Sequence, residues 1–308
     1  MARQIAITGA TGFVGQHLLA ALARRGWKLR LLIRRWSPVP SLPGIAAEIV
    51  WGDLADEPAL RALVDGAEAV VHLAGLIKAR TEREFRAVNR DGTARLSAMA
   101  PQAMLLLLSS LAAREPQLSA YGASKRAAEE IVVARQGPWL ALRAPAVYGP
   151  GDRETLAYFR AAARGIALEP WVHGARLGLI HVADLAEALA LCLEHRPAPS
   201  VYEIDDGREG GYRYADMAEA ASQALGRRVH ELPVPRGIMR GVAAANRLAQ
   251  TLGGPARILS EGKVNEIFHP DWTVRDRRLA EAAGFVPRFA LGDGFRHTIS
   301  WYRTHGWL

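Results

Sequence analysis

Tyr121 and Lys125 stand four residues apart in Tyr-Gly-Ala-Ser-Lys, so on a helix their side chains lie over one another on one face. A free phenol ionises near ~10 and is a poor base at neutral pH. An adjacent ammonium stabilises the phenolate and draws the hydroxyl toward useful acid–base range. Ser110 lies eleven residues upstream of Tyr121, just past the apolar run Met104–Leu108. Its hydroxyl can hold a substrate carbonyl or hydroxyl oxygen. Such a set exchanges a proton with an oxygen while a hydride moves to or from the carbon that bears it. A bare Tyr-x-x-x-Lys also suits an exposed helix pair, so its weight comes from its surroundings.

Those surroundings begin at the N-terminus. Gln4–Thr8 reads as a short buried strand of β-branched and apolar residues, broken abruptly by Gly9. Gly9, Gly12 and Gly15 punctuate Gly-Ala-Thr-Gly-Phe-Val-Gly, and an apolar helix continues from Phe13. In such a strand–turn–helix unit Gly9 allows the tight turn and Gly12 lets the backbone approach a pyrophosphate. Gly15 lets helix and strand pack closely, with the helix N-terminus facing the phosphate charge.

Alternating strands and helices follow: strands at Lys28–Ile33, Ala46–Trp51, Ala69–Gly75, Met104–Leu108 and Trp139–Arg143, with helices at Glu57–Val64, through Phe85, Val88 and Leu96, and from Tyr121 to about Arg135. The prolines make Ser37–Gly44 a loop. This rhythm predicts an α/β fold with a doubly wound parallel sheet of about seven strands. Past Pro150 prolines and helical stretches dominate, except that Leu179–Ala188 and Val201–Asp205 return a helix and a seventh strand to the sheet. The expected division is 1–150 plus 178–206 for a dinucleotide-binding domain. Residues 151–177 plus 207–308 form a smaller, mostly helical C-terminal substrate domain.

The order of the glycine turn, Asp53, Asn89, Ser110, Tyr121, Lys125, Leu142–Gly151 and Ile180–Leu185 resembles the extended short-chain dehydrogenase/reductase family along nearly the whole chain. The resemblance is to its epimerase/dehydratase branch, with features of hydroxysteroid dehydrogenase and dihydroflavonol reductase relatives. It implies a Rossmann sheet, a nicotinamide cofactor and Ser110, Tyr121 and Lys125 as the catalytic set, Lys125 also holding the nicotinamide ribose. It places Asp53 at the adenine, unless Asp53 caps the following helix, and gives Asn89 a supporting role. The implied cofactor contacts are Gly9, Thr11, Gly12, Phe13, Val14, Gly15, Arg34, Arg35, Asp53, Leu54, Leu73, Ala74 and Gly75, together with Tyr121 and Lys125. No acid lies between Gly15 and Glu48, and Lys28–Ile33 runs into Arg34-Arg35, where the adenosine ribose is met. That charge favours NADP, with NAD possible.

The substrate reading divides. Sugar-nucleotide members usually carry an asparagine where Ala146 stands, and Arg176 is displaced by one position with its neighbouring acid lost; both residues are candidate substrate contacts. The expected activity is hydride transfer between the nicotinamide and a secondary alcohol or ketone, the substrate being a nucleotide sugar. The alternatives are an NADPH-dependent reductase of a lipophilic ketone or aldehyde, and a non-catalytic dinucleotide-binding sensor or assembly protein.

Composition excludes several classes. Half the residues are apolar, which argues against long disorder. The single cysteine, Cys192, rules out an internal disulfide or cysteine-based metal cluster and suits a cytoplasmic setting; it reads as buried filler. His72 has no second ligand nearby and reads as structural. The net charge of +8 comes without a nucleic-acid motif. No stretch reaches transmembrane length and no cleavable signal is seen, so the expected partners are a small-molecule substrate and a second copy in a homodimer. Ile238, Met239, Val242, Ala245, Ala249 and Leu252 recur at helical spacing, with Arg240 and Arg247 on another face. Such a stripe suits a lipid surface or, the expectation here, one side of a packed helix.

Overall fold

A computed structural model describes residues 3–40 and 46–308; part of the loop expected at Ser37–Gly44 lies outside the described residues. The first part of the chain runs β1 (Gln4–Thr8), α1 (Phe13–Ala23), β2 (Lys28–Ile33), β3 (Ala47–Trp51), α2 (Glu57–Val64), β4 (Ala69–His72), α3 (Glu82–Phe85), α4 (Gly92–Met99), β5 (Met104–Ser110), α5 (Ala120–Val133) and β6 (Trp139–Ala144). There follow β7 (Ala146–Tyr148), α6 (Leu156–Ala163), β8 (Ile166–Pro170), β9 (Arg176–Leu177), β10 (Leu179–His181), α7 (Val182–His195) and β11 (Val201–Glu203). The chain ends with α8 (Tyr214–Leu225), β12 (His230–Val234), α9 (Arg236–Thr251), α10 (Glu261–Ile267), β13 (Asp271–Trp272), α11 (Arg278–Ala283) and α12 (Leu291–Thr304).

It divides into two compact units, Met1–Arg143 with Ala186–Glu203 and Asp276–Phe285, and Ala144–Leu185 with Ile204–Arg275 and Val286–Leu308. The seams differ from those drawn from the alternation alone. Residues 144–150, 178–185 and 204–206 group with the second unit, and α11 with the first.

The first unit is built on a seven-stranded parallel sheet in the order β3-β2-β1-β4-β5-β6-β11. Its central strands are buried on both faces: Ile5 to Thr8, Ala69 to His72 and Met104 to Leu107 are all buried. Covering helices explain that pattern, because each face must be buried against a helix layer. Leu60 and Leu63 of α2 and Leu96 of α4 join Val70, Leu105 and Leu107 in one such core. The chain reverses direction across the sheet between β1 and β4, and in such sheets ligands bind at the carboxyl ends of the strands beside that point.

The second unit holds three short parallel strand pairs, β7 with β10, β8 with β12 and β9 with β13, which the sequence pattern did not announce. Its core gathers Phe159, Phe295, Tyr148 and Tyr302, whose rings pack edge to face. Among the described residues no helix is long and apolar enough to cross a membrane.

Candidate active site

The glycine turn sits at the carboxyl end of β1. Gly9 has φ of +75°, and a Cβ there would lie 2.6 Å from the Ala74 backbone nitrogen. A Cβ on Gly15 would overlap the Gly9 carbonyl oxygen and the Ala10 backbone. Only glycine satisfies either position. Gly12 differs: a Cβ there would meet the Gly9 oxygen alone, at 3.2 Å, with nothing else within 4 Å. Gly12 is exposed and is the N-cap of α1, where no side chain occupies the first-turn amides. Thr11, Phe13 and Val14 complete this rim, all partly exposed. No side chain fills the space at Gly12 or caps the first turn of α1, and amide donors of this kind fit a dinucleotide pyrophosphate.

Around it, Leu73, Ala74 and Gly75 continue β4 past its last pairing, with Leu73 N donating to Thr8 O at 3.2 Å and Ala74 N to Thr8 Oγ1 at 3.3 Å. Arg34 and Arg35 follow β2 and are exposed, the Arg34 guanidinium 5.8 Å from the Trp36 ring centre. Asp53 and buried Leu54 follow β3. Asp53 Oδ1 accepts from Ala55 N at 2.8 Å, whereas Asp56 is the N-cap of α2, accepting from Ala59 N at 3.1 Å. The capping alternative for Asp53 is therefore corrected: the carboxylate three residues on does that work.

His72 is structural. Register places it opposite Thr8, and its Nδ1 lies 2.7 Å from Thr8 Oγ1 while Nε2 lies 2.9 Å from Thr93 Oγ1. Complete burial pushes its pKa down to about 3, with the Lys125 charge adding to the effect. It is a neutral clip between strand and helix.

The proton-transfer candidates rest on β5 and α5. Ser119 caps α5 by accepting from Gly122 N at 2.8 Å, and an alanine-rich sequence carries the helix onward. A Cβ on Gly122 would lie 2.7 Å from Ala112 O, so this glycine lets α5 approach the turn that follows β5. Tyr121 stands in the first turn, partly exposed, its ring 6.1 Å from that of Phe85. Lys125 is buried, and its Nζ donates to the Leu108 carbonyl at 2.6 Å. A Cβ on Gly75 would come within 3.7 Å of that ammonium, which places Lys125 beside the backbone at the end of β4. Burial pulls the Lys125 pKa down to about 8 against the attraction of Glu129. Alternation along β5 sends Ser109 and Ser110 to opposite faces. Ser110 is partly exposed, its Oγ accepting from Ala112 N at 3.2 Å, which leaves its proton to donate.

Asn89 sits in the widened turn Arg86–Asp91 between α3 and α4, a π-helical segment of the kind that recurs at functional sites. Its amide donates to Leu76 O at 3.0 Å and Ser124 Oγ at 2.8 Å, and its Oδ1 accepts from Leu76 N at 2.7 Å. Asn89 thereby ties the loop after β4 to α5 between Tyr121 and Lys125.

One network escaped the sequence reading. Glu129, four residues past Lys125, is buried and accepts from Ser109 Oγ and from both Arg143 Nε at 2.9 Å and Nη2 at 2.7 Å. Arg143 also faces Glu203 at 3.6 Å, and Arg114 reaches the other Glu203 oxygen at 3.3 Å. Arg143 and Glu203, each the one charge in an otherwise apolar strand, were the available signal. Their pairing needed the fold.

The two candidate substrate contacts outside β5 belong to the second unit. Ala146 is exposed on β7, opposite Leu179 of β10. Arg176 is exposed on β9 and lines an open depression with Glu209, Gly210, Asp271 and Thr273.

The model of the NAD dependent epimerase/dehydratase family matches residues 5–205. This chain belongs to that family. The family's chemistry makes it a nicotinamide-dependent enzyme of the epimerase/dehydratase type. The chain is 44% identical to a ceramide reductase of Caulobacter vibrioides, over 99% of this chain and 96% of that protein. The crystal structure of gox2253 shares its fold at a TM-score of 0.79 and 23% identity, covering all of both chains. MoeE5 in complex with UDP-glucose and NAD matches at a TM-score of 0.74 and 25% identity, over 99% of each chain.

Proposed function

We propose that this family member reduces a ketone on a lipid substrate, using NADPH in preference to NADH. The observation that carries the reaction type is the buried Lys125 ammonium, fixed by the Leu108 carbonyl next to Gly75 and one helical turn after Tyr121. When bound, the cofactor supplies the hydride. Tyr121 donates its hydroxyl proton to the substrate oxygen as that oxygen gains charge, and Ser110 donates a hydrogen bond to the same oxygen. Lys125 lowers the cost of the resulting phenolate and holds the ribose hydroxyls. Asn89 keeps the Leu76 loop and α5 in register, and Gly9, Gly12 and Gly15 with the start of α1 take the pyrophosphate. Arg34 and Arg35 meet the 2′-phosphate, which supports NADPH.

The lipid substrate is supported by the 44% identity to a ceramide reductase along nearly its whole length. Ala146 agrees, because its methyl cannot donate a hydrogen bond to a nucleotide-sugar pyrophosphate. The test offers the purified protein NADPH with a ceramide whose secondary hydroxyl is replaced by a ketone, and separately UDP-glucose with catalytic NAD. Loss of nicotinamide absorbance with the lipid alone is expected, and Tyr121→Phe should lower that rate by about 10²–10⁴ with cofactor affinity kept. Isomerisation of the UDP-hexose without net cofactor use would establish the epimerase reading instead.

A further inference from the structure

We infer that α9 is a docking surface that seats the second unit on an anionic lipid bilayer. The expected packing of its apolar stripe against the protein is not what the structure shows, and this corrects the sequence reading. Ala243 alone is buried along α9. The side that faces the protein carries Ala243 and Asn246, whose amide donates to Leu259 O at 3.0 Å, and Arg236 reaches Asn265 Oδ1 at 2.7 Å. At about 100° per residue, Ile238, Val242, Ala245 and Ala249 fall on a different face, within a sector about 60° wide. Ile238 is 59% exposed on that face, and Leu252, just past the last turn, is 81% exposed.

The strand pair that leads to α9 also exposes apolar side chains. Leu168 of β8 and Leu232 of β12 are register partners and both exposed. Trp171, 71% exposed, donates its backbone N–H to Val234 O at 3.1 Å, two residues before α9 begins. An exposed indole beside an amphipathic helix suits the level of lipid headgroups, where its apolar ring and polar N–H are both satisfied.

Charge selects the occupant. From Leu232 to Ser260 there is no Asp or Glu, and arginines stand at 236, 240, 247 and 257, outnumbering Glu169 and Glu231 of the strand pair. A second copy would bring this cationic segment against itself, whereas anionic headgroups complement it. At 16 residues, α9 is too short to span a membrane and would lie on one. Docking would bring a lipid-handling enzyme to the phase that holds its substrate. The docking measurement needs neither substrate nor cofactor.

The experiment sediments the full chain with sucrose-loaded vesicles of phosphatidylcholine, with and without phosphatidylglycerol, at low and high salt. Binding to the anionic vesicles is expected, weakened about tenfold or more in their phosphatidylcholine counterparts and at high salt. The double variant Ile238→Asp/Val242→Asp should lose binding by about tenfold or more, and Arg240→Glu/Arg247→Glu should weaken it in the anionic vesicles only. All four side chains are exposed, so unchanged thermal melting is expected to accompany the loss. Wild-type protein left in the supernatant at low salt overturns the inference. So does undiminished binding by Ile238→Asp/Val242→Asp, or a homodimer in light scattering that this variant splits. The ketone-reduction assay can fail without touching this result, and the reverse.

Discussion

Glu129→Gln removes one charge and almost no volume from the buried network behind Lys125. Glu129 holds Arg143 through two hydrogen bonds at 2.9 and 2.7 Å and accepts the Ser109 hydroxyl, while Arg143 keeps a longer contact to Glu203 at 3.6 Å. Breaking one side of a buried pair costs about 3–5 kcal/mol when the remaining charge is left bare. Here Glu203 still faces the guanidinium and the amide retains one acceptor, so the expected loss lies at the low end, about 3 kcal/mol. That is a large share of a typical stability of about 5–15 kcal/mol. A second effect reaches the site. Glu129 attracts the Lys125 proton, so its neutralisation should take the Lys125 pKa below its present value of about 8. Urea unfolding reads the first effect. The pH dependence of turnover reads the second: the limb on which Lys125 deprotonates should move to lower pH. Glu129→Asp, which keeps the charge, should restore more of that limb than of the stability. Glu129→Gln protein with a wild-type urea midpoint and a superimposable pH profile would refute the reasoning.

The remaining predictions concern the cofactor cradle and the strand clip. Gly15→Ala must displace backbone at Gly9 and Ala10 and should cost about 1–3 kcal/mol in urea unfolding. Gly12→Val meets only the Gly9 oxygen, so it should stay folded while calorimetry shows cofactor affinity down by about tenfold or more. Arg34→Ala/Arg35→Ala should lose a preference for NADPH worth about 1.5–3 kcal/mol in parallel titrations of both cofactors; an unchanged ratio refutes the 2′-phosphate role. His72 stays neutral in the fold down to about pH 3, whereas the unfolded chain takes up a proton below about 6.5. Stability conferred by the neutral ring is therefore complete above that pH and is lost as pH falls toward 3, by up to about 1.4 kcal/mol per unit. Comparing the urea midpoints of wild type and His72→Asn between pH 7 and pH 5 isolates this loss, which the variant should lack.

Much of this protein was legible one residue at a time. Gly9 and Gly15 could be placed because a tight turn and a close helix leave no room for a side chain. The buried strands announced themselves by unbroken apolar runs, and α2 was read at Glu57–Val64 as found. Local periodicity suffices there because one face or two must be covered, whatever covers it. Tyr121 and Lys125 needed only the pitch of a helix to share a face. Other features belong to the tertiary structure. The sheet order sets Thr8 against His72 and leaves both His72 nitrogens satisfied, which no spacing in the chain reveals. Glu129, Ser109, Arg143 and Glu203 are far apart in sequence and become one network only when α5 lies against β5, β6 and β11. α9 shows the opposite case. Its stripe has the period of a packed helix, yet periodicity records only that a helix has two faces. Which face meets protein was decided by the narrow contact of Ala243 and Asn246 with the segment around α10, and the face with Ile238 and Val242 was left exposed.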